Sequence, residues 1–402
     1  MIIHKDIINH IMKGSNKMDK KVINKSDWVS NFNLIGKPVI SDYTFKIDEK
    51  SEKSQWIYNA LNLGIDCGEK YGTVYAEAMG GYGEDRENII YVHGKDENDR
   101  DDFSKKIEVS WEDRFNDDVL EEVGEMNFLT VGLEKTSEGK TYYKKFLSAY
   151  DAIVYVREHL TEDMVVNVRG NLKYSTYNDV TQVRKTITSI VLSKVDDPSK
   201  YKATFTQSIL IDKDSASLKD IDKDKSVMFV NAKVLDYVKE MNGIEVRGQY
   251  PFNKQFEFEL DLSNEKLCKT IYEKLFKVKK GITQTTFEGE LIEGGAVVTA
   301  TWDDIPDDIK SLVEMGLYDK EEALAKCTVN GNKERRMVLK KPVIKMVGNE
   351  DNKVPVVQKF EERYEEEDLI LDYLFKDVES NDEVPFNEDT ESDNLIDWLS
   401  KL

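Results

Sequence analysis

Long apolar runs are missing from this chain of 402 residues, and histidine, cysteine and proline are scarce. No stretch of about 18 uncharged apolar residues occurs, which argues against a transmembrane helix. The N-terminal segment MIIHKDIINHIMKGSNK interrupts Ile2, Ile3, Ile7, Ile8 and Ile11 with Lys5, Asp6 and His10. Lacking a continuous apolar centre, it does not read as a signal peptide but as a short amphipathic helix. Cys67, Cys268 and Cys327 stand apart, with no CxxC pair and no neighbouring histidine. Neither a disulfide framework nor a zinc site is expected, and a reducing, cytoplasmic compartment is. His4, His10, His93 and His159 show no metal-binding spacing. A Walker-type phosphate loop, a GxSxG nucleophile turn and a Cys–His arrangement are also missing. The expectation is a protein that is not an enzyme and holds no cofactor or metal. The carboxylate clusters EDREN and DENDRDD lack calcium-loop spacing and read as solvated loops. GGYG, Gly80 to Gly83, has no Lys-Ser/Thr after it and reads as a turn.

Charge, by contrast, is abundant and one-sided, with a formal net value of −21. It is concentrated: residues 350–402 carry −13 and residues 84–122 carry −9, so the rest is close to neutral. The low pI therefore excludes a uniformly basic phosphate-coating protein but leaves room for local basic patches. From about Glu350 the chain is poor in aliphatics and rich in Glu and Asp, a signature of disorder. Two apolar islands break this tail. In the second, NLIDWLSKL, Leu395, Trp398, Leu399 and Leu402 fall at helical spacing. That island is either a helix docked on its own domain or a peptide offered to a basic groove of a partner.

The body of the chain reads as short strands with few helices. LSAYDAIVYVREHL places Leu147, Tyr150, Ile153, Val154 and Leu160 on a helical face. VVNVRGNLKYS alternates as a strand, with Gly170 marking a bulge or tight bend, and VTQVRKTITSIVLSK completes a hairpin. The pattern then recurs in AKVLDYVKEMNGIEVRGQYPFNKQFEFELDL. A helical stretch through Val234, Leu235 and Val238 precedes I-x-V-R-G, matching Arg169-Gly170 with Arg247-Gly248 as an internal repeat. TQTTFEGELIEGGAVVTATW reads as a further hairpin around Gly294-Gly295, and residues 305–328 as helical. Short strands with one helix between them suggest small closed barrels.

The run from Ser148 to Lys194 resembles the helix-to-fifth-strand half of bacterial single-stranded DNA-binding proteins, and the strands around QWIYNALNLGIDCGEKYGTVYAEAMGGYG resemble replication-associated binding proteins of bacteriophages. The bacterial proteins are five-stranded oligonucleotide/oligosaccharide-binding (OB) barrels with a helix between the third and fourth strands. NDEVPF, Asn381 to Phe386, is similar to the acidic tip by which that family recruits replication proteins. Here sixteen residues follow Phe386, so the terminal carboxylate used in the family is not at that site. The resemblance implies a mainly β protein with some α: two OB-like five-stranded barrels in tandem and an acidic disordered C-terminal tail. The expected organisation is an N-terminal extension over 1–27 and a first barrel over 28–197 with an acidic insertion at 84–125. A second barrel follows over 198–346 with a helical insertion at 305–328, and then the tail over 347–402.

Single-strand binding needs cations along the phosphates and aromatic platforms for bases. The candidates are Trp56 and Tyr58, Lys144 and Lys145, Arg169, Lys173, Tyr174, Tyr177, Arg184 and Lys185, with Arg335 and Arg336 from the basic run KERRMVLKK. Each has a plainer reading, a packed tyrosine or a solvated cation. The basic run could equally pair with the acidic tail. Pro385, Phe386, Leu395, Trp398 and Leu399 are the partner-binding candidates. The expected partners are single-stranded DNA and replication or recombination proteins, with no membrane; an oligomer is compatible with both. The alternative is a β-barrel assembly protein, such as a virion component, that binds no nucleic acid.

Overall fold

The computed structural model describes residue 23 and residues 27–369, apart from 53, 178–179, 242–243, 295–296, 349–352 and scattered positions between 299 and 333. The tail candidates Pro385, Phe386, Leu395, Trp398 and Leu399 lie outside the described residues, as does most of the N-terminal extension.

Strand dominates. The first part of the chain forms β1 (Ser30–Val39), β2 (Phe45–Lys50), β3 (Trp56–Asp66), β4 (Thr73–Gly83), β5 (Ile89–Lys95), β6 (Asp101–Ser110), β7 (Leu129–Lys135), β8 (Thr141–Phe146), β9 (Val166–Tyr177) and β10 (Val180–Leu192). The second part forms β11 (Lys202–Ile211), β12 (Ala216–Asp222), β13 (Val227–Met241), β14 (Ile244–Glu259), β15 (Ile282–Gly294), β16 (Val297–Val298), β17 (Val329–Asn330) and β18 (Glu334–Pro342). The helices are α1 (Asp117–Glu122), α2 (Ala149–His159), α3 (Glu265–Ile271) and α4 (Asp307–Glu314).

Five strands close a barrel. β1 pairs with β3, β3 with β4, β10 with β9, and β9 with β1, all antiparallel; β4 meets β10 in parallel at Glu77 and Thr186. A parallel contact needs a long crossover, and α2 lies in it, between the third strand of the ring and the fourth. Ser148 caps α2 by accepting from the backbone N–H of Tyr150. Buried Asn59 donates to the Tyr150 carbonyl at 2.8 Å and ties the first turn of the helix to β3. In β9, Val166, Val168, Leu172 and Tyr174 are buried while Arg169, Asn171 and Lys173 are exposed, the period of two of a half-buried strand. The acidic insertion is ordered: β5 and β6 pair with each other, and Val109, Val123 and Phe128 form a small core of their own.

Pairings among the later strands make a second circuit, β11–β13–β14–β18–β15–β11, again with one parallel step, β14 to β18. Its registers match the first ring's. Phe32 stands opposite Gly170, and Phe205 opposite Gly289. A Cβ at Gly170 would meet the Phe32 ring and the Thr186 carbonyl; one at Gly289 would meet the Phe205 ring and the Val338 carbonyl. A bulge follows in the same place, at Thr188 in β10 and Lys340 in β18. The parallel steps pair Glu77 with Thr186 and Glu257 with Val338. Phe32 and Phe205 also face each other where β1 and β11 pair antiparallel, joining both circuits in one sheet.

This matching differs from the repeat expected from V-R-G. Val234, Leu235 and Val238 belong to strand β13, not to a helix; Val227, Met228, Val230 and Ala232 line the buried side before them. Arg247-Gly248 lies in β14, the third strand of its circuit, whereas Arg169-Gly170 lies in the fourth strand of the other. Gly289 is the true counterpart of Gly170. IEVRGQY and QFEFE lie in one continuous strand, and β15 pairs with β11 and β18, while the turn expected at Gly294-Gly295 lies partly outside the described residues. Gly80 to Gly83 are strand residues of β4, not a turn.

Candidate nucleic-acid interface

The outer face of β3 and β4 carries a groove of about 690 Å³ whose walls include α2's N-terminal turn and the β5–β6 insertion. Residues two apart on a strand share a face, and this aligns Trp56 with Tyr58 on β3, and Glu77, Met79 and Gly81 on β4. Trp56 and Tyr58 stack at 4.9 Å and 13° between planes. Trp56 is only 8% exposed, so it backs Tyr58, which presents the outer ring. Gly81 makes this possible, since a Cβ there would lie 2.8 Å from the Trp56 ring. Gly80 lets α2 approach: a Cβ there would lie 2.6 Å from the Tyr150 backbone nitrogen.

The insertion supplies the far wall. Trp111 packs with Tyr82 at 5.2 Å and with Tyr150 at 5.8 Å, and the Arg114 guanidinium covers it at 4.2 Å. Arg114 is held by Asp151 at 2.8 Å. Tyr91, 73% exposed, stands at the lip.

Two cations line the groove, Lys46 and Arg184. Arg184 Nε lies 3.8 Å from Glu77 Oε1, beyond hydrogen-bond distance, and is itself buried without a hydrogen-bond partner. Burial pushes the Glu77 carboxyl above its ordinary range, with Arg184 and then Lys185 pulling it down. Burial, and secondarily Glu49, raises the Tyr58 phenol. Burial and the hydrogen bond to Asp48 raise Tyr150. Such a site can stack flat rings and offers little charge to a phosphate chain.

Of the sequence candidates, the groove gathers Trp56, Tyr58 and Arg184. The others lie elsewhere. Tyr174 is a core residue: it is 4% exposed, packs on Phe252 and donates its hydroxyl to Gln207 at 2.9 Å. Lys185 is also buried, because its side of β10 faces inward, and it pairs with Glu293 at 2.5 Å. Lys173 is exposed but bridges to buried Asp236 at 3.3 Å. Arg169 donates to Asn167 at 2.7 Å on the far side of the barrel. Lys145 pairs with Glu125 at 2.6 Å, and Lys144 lies over the Tyr155 ring at 4.7 Å. Tyr177 is 44% exposed at the end of β9, away from the groove. Arg336 is paired with Glu257 at 2.7 Å, and Arg335 is exposed on β18.

Sequence reading missed Glu77, Met79, Tyr91, Trp111 and Lys46. The alternation in TVYAEAMGGYG carried a signal for the first two. Trp111 and Tyr91 sit in the segment whose acidity dominated its reading.

Among the described residues there is no group of His, Cys, Asp and Glu fit to hold a metal ion, and no helix is long and apolar enough to cross a membrane. A protein-family model described as YorF matches residues 122–293, under half of the chain. No curated protein matches. Among solved structures, a deletion mutant of the single-stranded DNA binding protein from Thermus aquaticus aligns over 66% of this chain and 87% of its own. It does so at 10% identity and a TM-score of 0.29, too loose a likeness to carry an argument.

Proposed function

We propose that the chain is a non-enzymatic single-stranded DNA-binding protein built on two OB-like barrels in tandem. Strands enter through the aromatic groove of the first barrel, and the acidic tail recruits replication or recombination proteins. The observation that carries this is the groove itself: a Trp56–Tyr58 stack on the outer face of a closed five-stranded barrel, faced by Trp111 and Tyr91 from an inserted hairpin. Base–aromatic stacking is worth roughly 1–3 kcal/mol per base and tolerates any sequence, because every base has a π-face. The closed ring with its helix before the fourth strand supports the OB reading. The matching registers of the second circuit support the tandem arrangement.

The second reading, an assembly protein without nucleic-acid binding, is favoured by one feature. The hairpin formed by Ile344–Val347 and Val354–Val357 exposes Ile344, Met346, Val347, Val354, Val356 and Val357 together.

Fluorescence anisotropy of a labelled oligothymidine with full-length protein and its Tyr58→Ala variant separates the two. Saturable binding that the variant weakens is expected. No binding at low salt would discard the single-strand reading and leave assembly.

A further inference from the structure

The two circuits provide an internal control on one pair of side chains. Counting from the matched parallel steps, Arg184 corresponds to Arg336 and Glu77 to Glu257. The same residue types therefore stand at the same registers twice. In the second circuit the pair is closed, with Arg336 Nε donating to Glu257 Oε2 at 2.7 Å. In the first it is open: 3.8 Å separates the charges, and the buried Arg184 Nε has no hydrogen-bond partner. Only the open pair lines the groove. A buried donor left unsatisfied destabilises the arrangement that holds it. A closed pair was geometrically available to this backbone, as the other circuit shows, so the open one has room for a third party.

Resting on the single-strand reading, we propose that Glu77 and Arg184 form a base-reading pair that prefers guanine. A carboxylate offers two acceptors and a guanidinium offers donors only. The base that complements them side by side has two adjacent donors and a neighbouring acceptor. Guanine has that edge: N1–H and N2–H2 face the Glu77 oxygens, and O6 accepts from Arg184. Thymine sets one N–H between two carbonyl oxygens, so the carboxylate meets an oxygen. Cytosine and adenine each offer a single amino donor beside a ring acceptor. Glu77 lies four residues from Gly81, the strand partner of Tyr58, roughly 13 Å along β4 at about 3.3 Å per residue. The guanine read here is therefore a different nucleotide from the one stacked on Tyr58, and its neighbours remain free in sequence.

The test compares labelled oligothymidines of about twelve nucleotides, inside the usual site size, with the same oligomer carrying one guanine at successive positions, at fixed salt. Guanine in one register should tighten binding about tenfold, within the range that a bidentate base contact is worth. Replacing that guanine by inosine, which lacks N2–H2, should remove most of the gain. Glu77→Gln should bring the guanine-to-thymine affinity ratio close to one. If that variant does not fold, the inosine comparison on the natural protein decides alone. Equal affinity for all three oligomers, each bound, would overturn the guanine reading and leave single-strand binding standing. Binding to none would remove both.

Discussion

The groove makes an unusual demand on salt dependence. Single-strand binding usually weakens steeply with salt, because each phosphate neutralised by a cation releases counterions; log K falls by about 0.7 per contact and per decade of salt. Here, among the described residues, the cations that line the groove are Lys46 and Arg184, and Glu77 stands beside Arg184. Taking both cations at full value gives a slope of about −1.4, so raising salt from about 50 to about 200 mM weakens binding about sevenfold. A basic track with six contacts would have a slope of about −4.2 and lose about 300-fold over that range. The assay is an anisotropy titration of labelled oligothymidine across a salt series, with log K plotted against log salt. A slope near −1.4 or shallower fits affinity that comes chiefly from stacking. A slope steeper than about −3, beyond what two phosphate contacts can give, would refute the reasoning. It would place the strand on cations outside the groove, with Lys144, Arg169 and Arg335 the first to test.

Three further outcomes are expected. Tyr58→Ala should raise Kd about 5- to 150-fold, equivalent to about 1–3 kcal/mol for one stacked base, while Tyr58→Phe keeps most of the affinity; anisotropy reads both. Gly170→Ala should destabilise the fold by about 1–3 kcal/mol or more in a urea melt, because its Cβ would lie 1.9 Å from the Thr186 carbonyl oxygen and 2.8 Å from the Phe32 ring. Lys254→Met should raise the melting temperature at neutral pH. Burial, and then Lys185, hold the Lys254 ammonium below its ordinary value of 10.5. A depressed folded-state value means that folding favours the neutral amine, so the penalty builds as pH falls below 10.5 and is complete once pH is below the folded-state value. The advantage of Met should accordingly shrink as the pH is raised towards and beyond 10.5. An advantage independent of pH would assign the effect to packing.

What could be read from the sequence follows the range of the interactions involved. The hairpin of β9 and β10 and the helix before it were legible, because alternation and helical spacing are local and a few buried residues fix them. Burial within that hairpin was half legible. Tyr174 shares parity with Leu172 and faces the core, whereas Lys185 broke the expectation because Glu293, more than a hundred residues away, neutralises it inside. The repeat was misread for a similar reason. V-R-G recurs in the letters, but what the two circuits share is a register, a glycine that admits a phenylalanine ring from the first strand, and a bulge two residues beyond the parallel contact. Glycine at 170 and 289 with phenylalanine at 32 and 205 leaves almost no pattern in a linear string, because each pair spans more than eighty residues.

The same matching argues for a division of labour between the circuits. Counting back from the matched registers of β3 and β13, Trp56 and Tyr58 correspond to Lys223 and Lys225, just before β13 begins. The second circuit thus has lysines where the first has its stacking platform. Its Arg336 is spent on Glu257, and neighbouring Lys340 pairs with Glu259 and with Glu290 at 3.1 Å. On the proposed reading, base stacking is therefore assigned to the first circuit. Removing the Lys340 side chain should leave oligothymidine affinity unchanged while lowering the melting temperature, whereas Tyr58→Ala should do the reverse. Loss of binding on Lys340→Ala, with the fold intact, would mean that the second circuit also touches the strand.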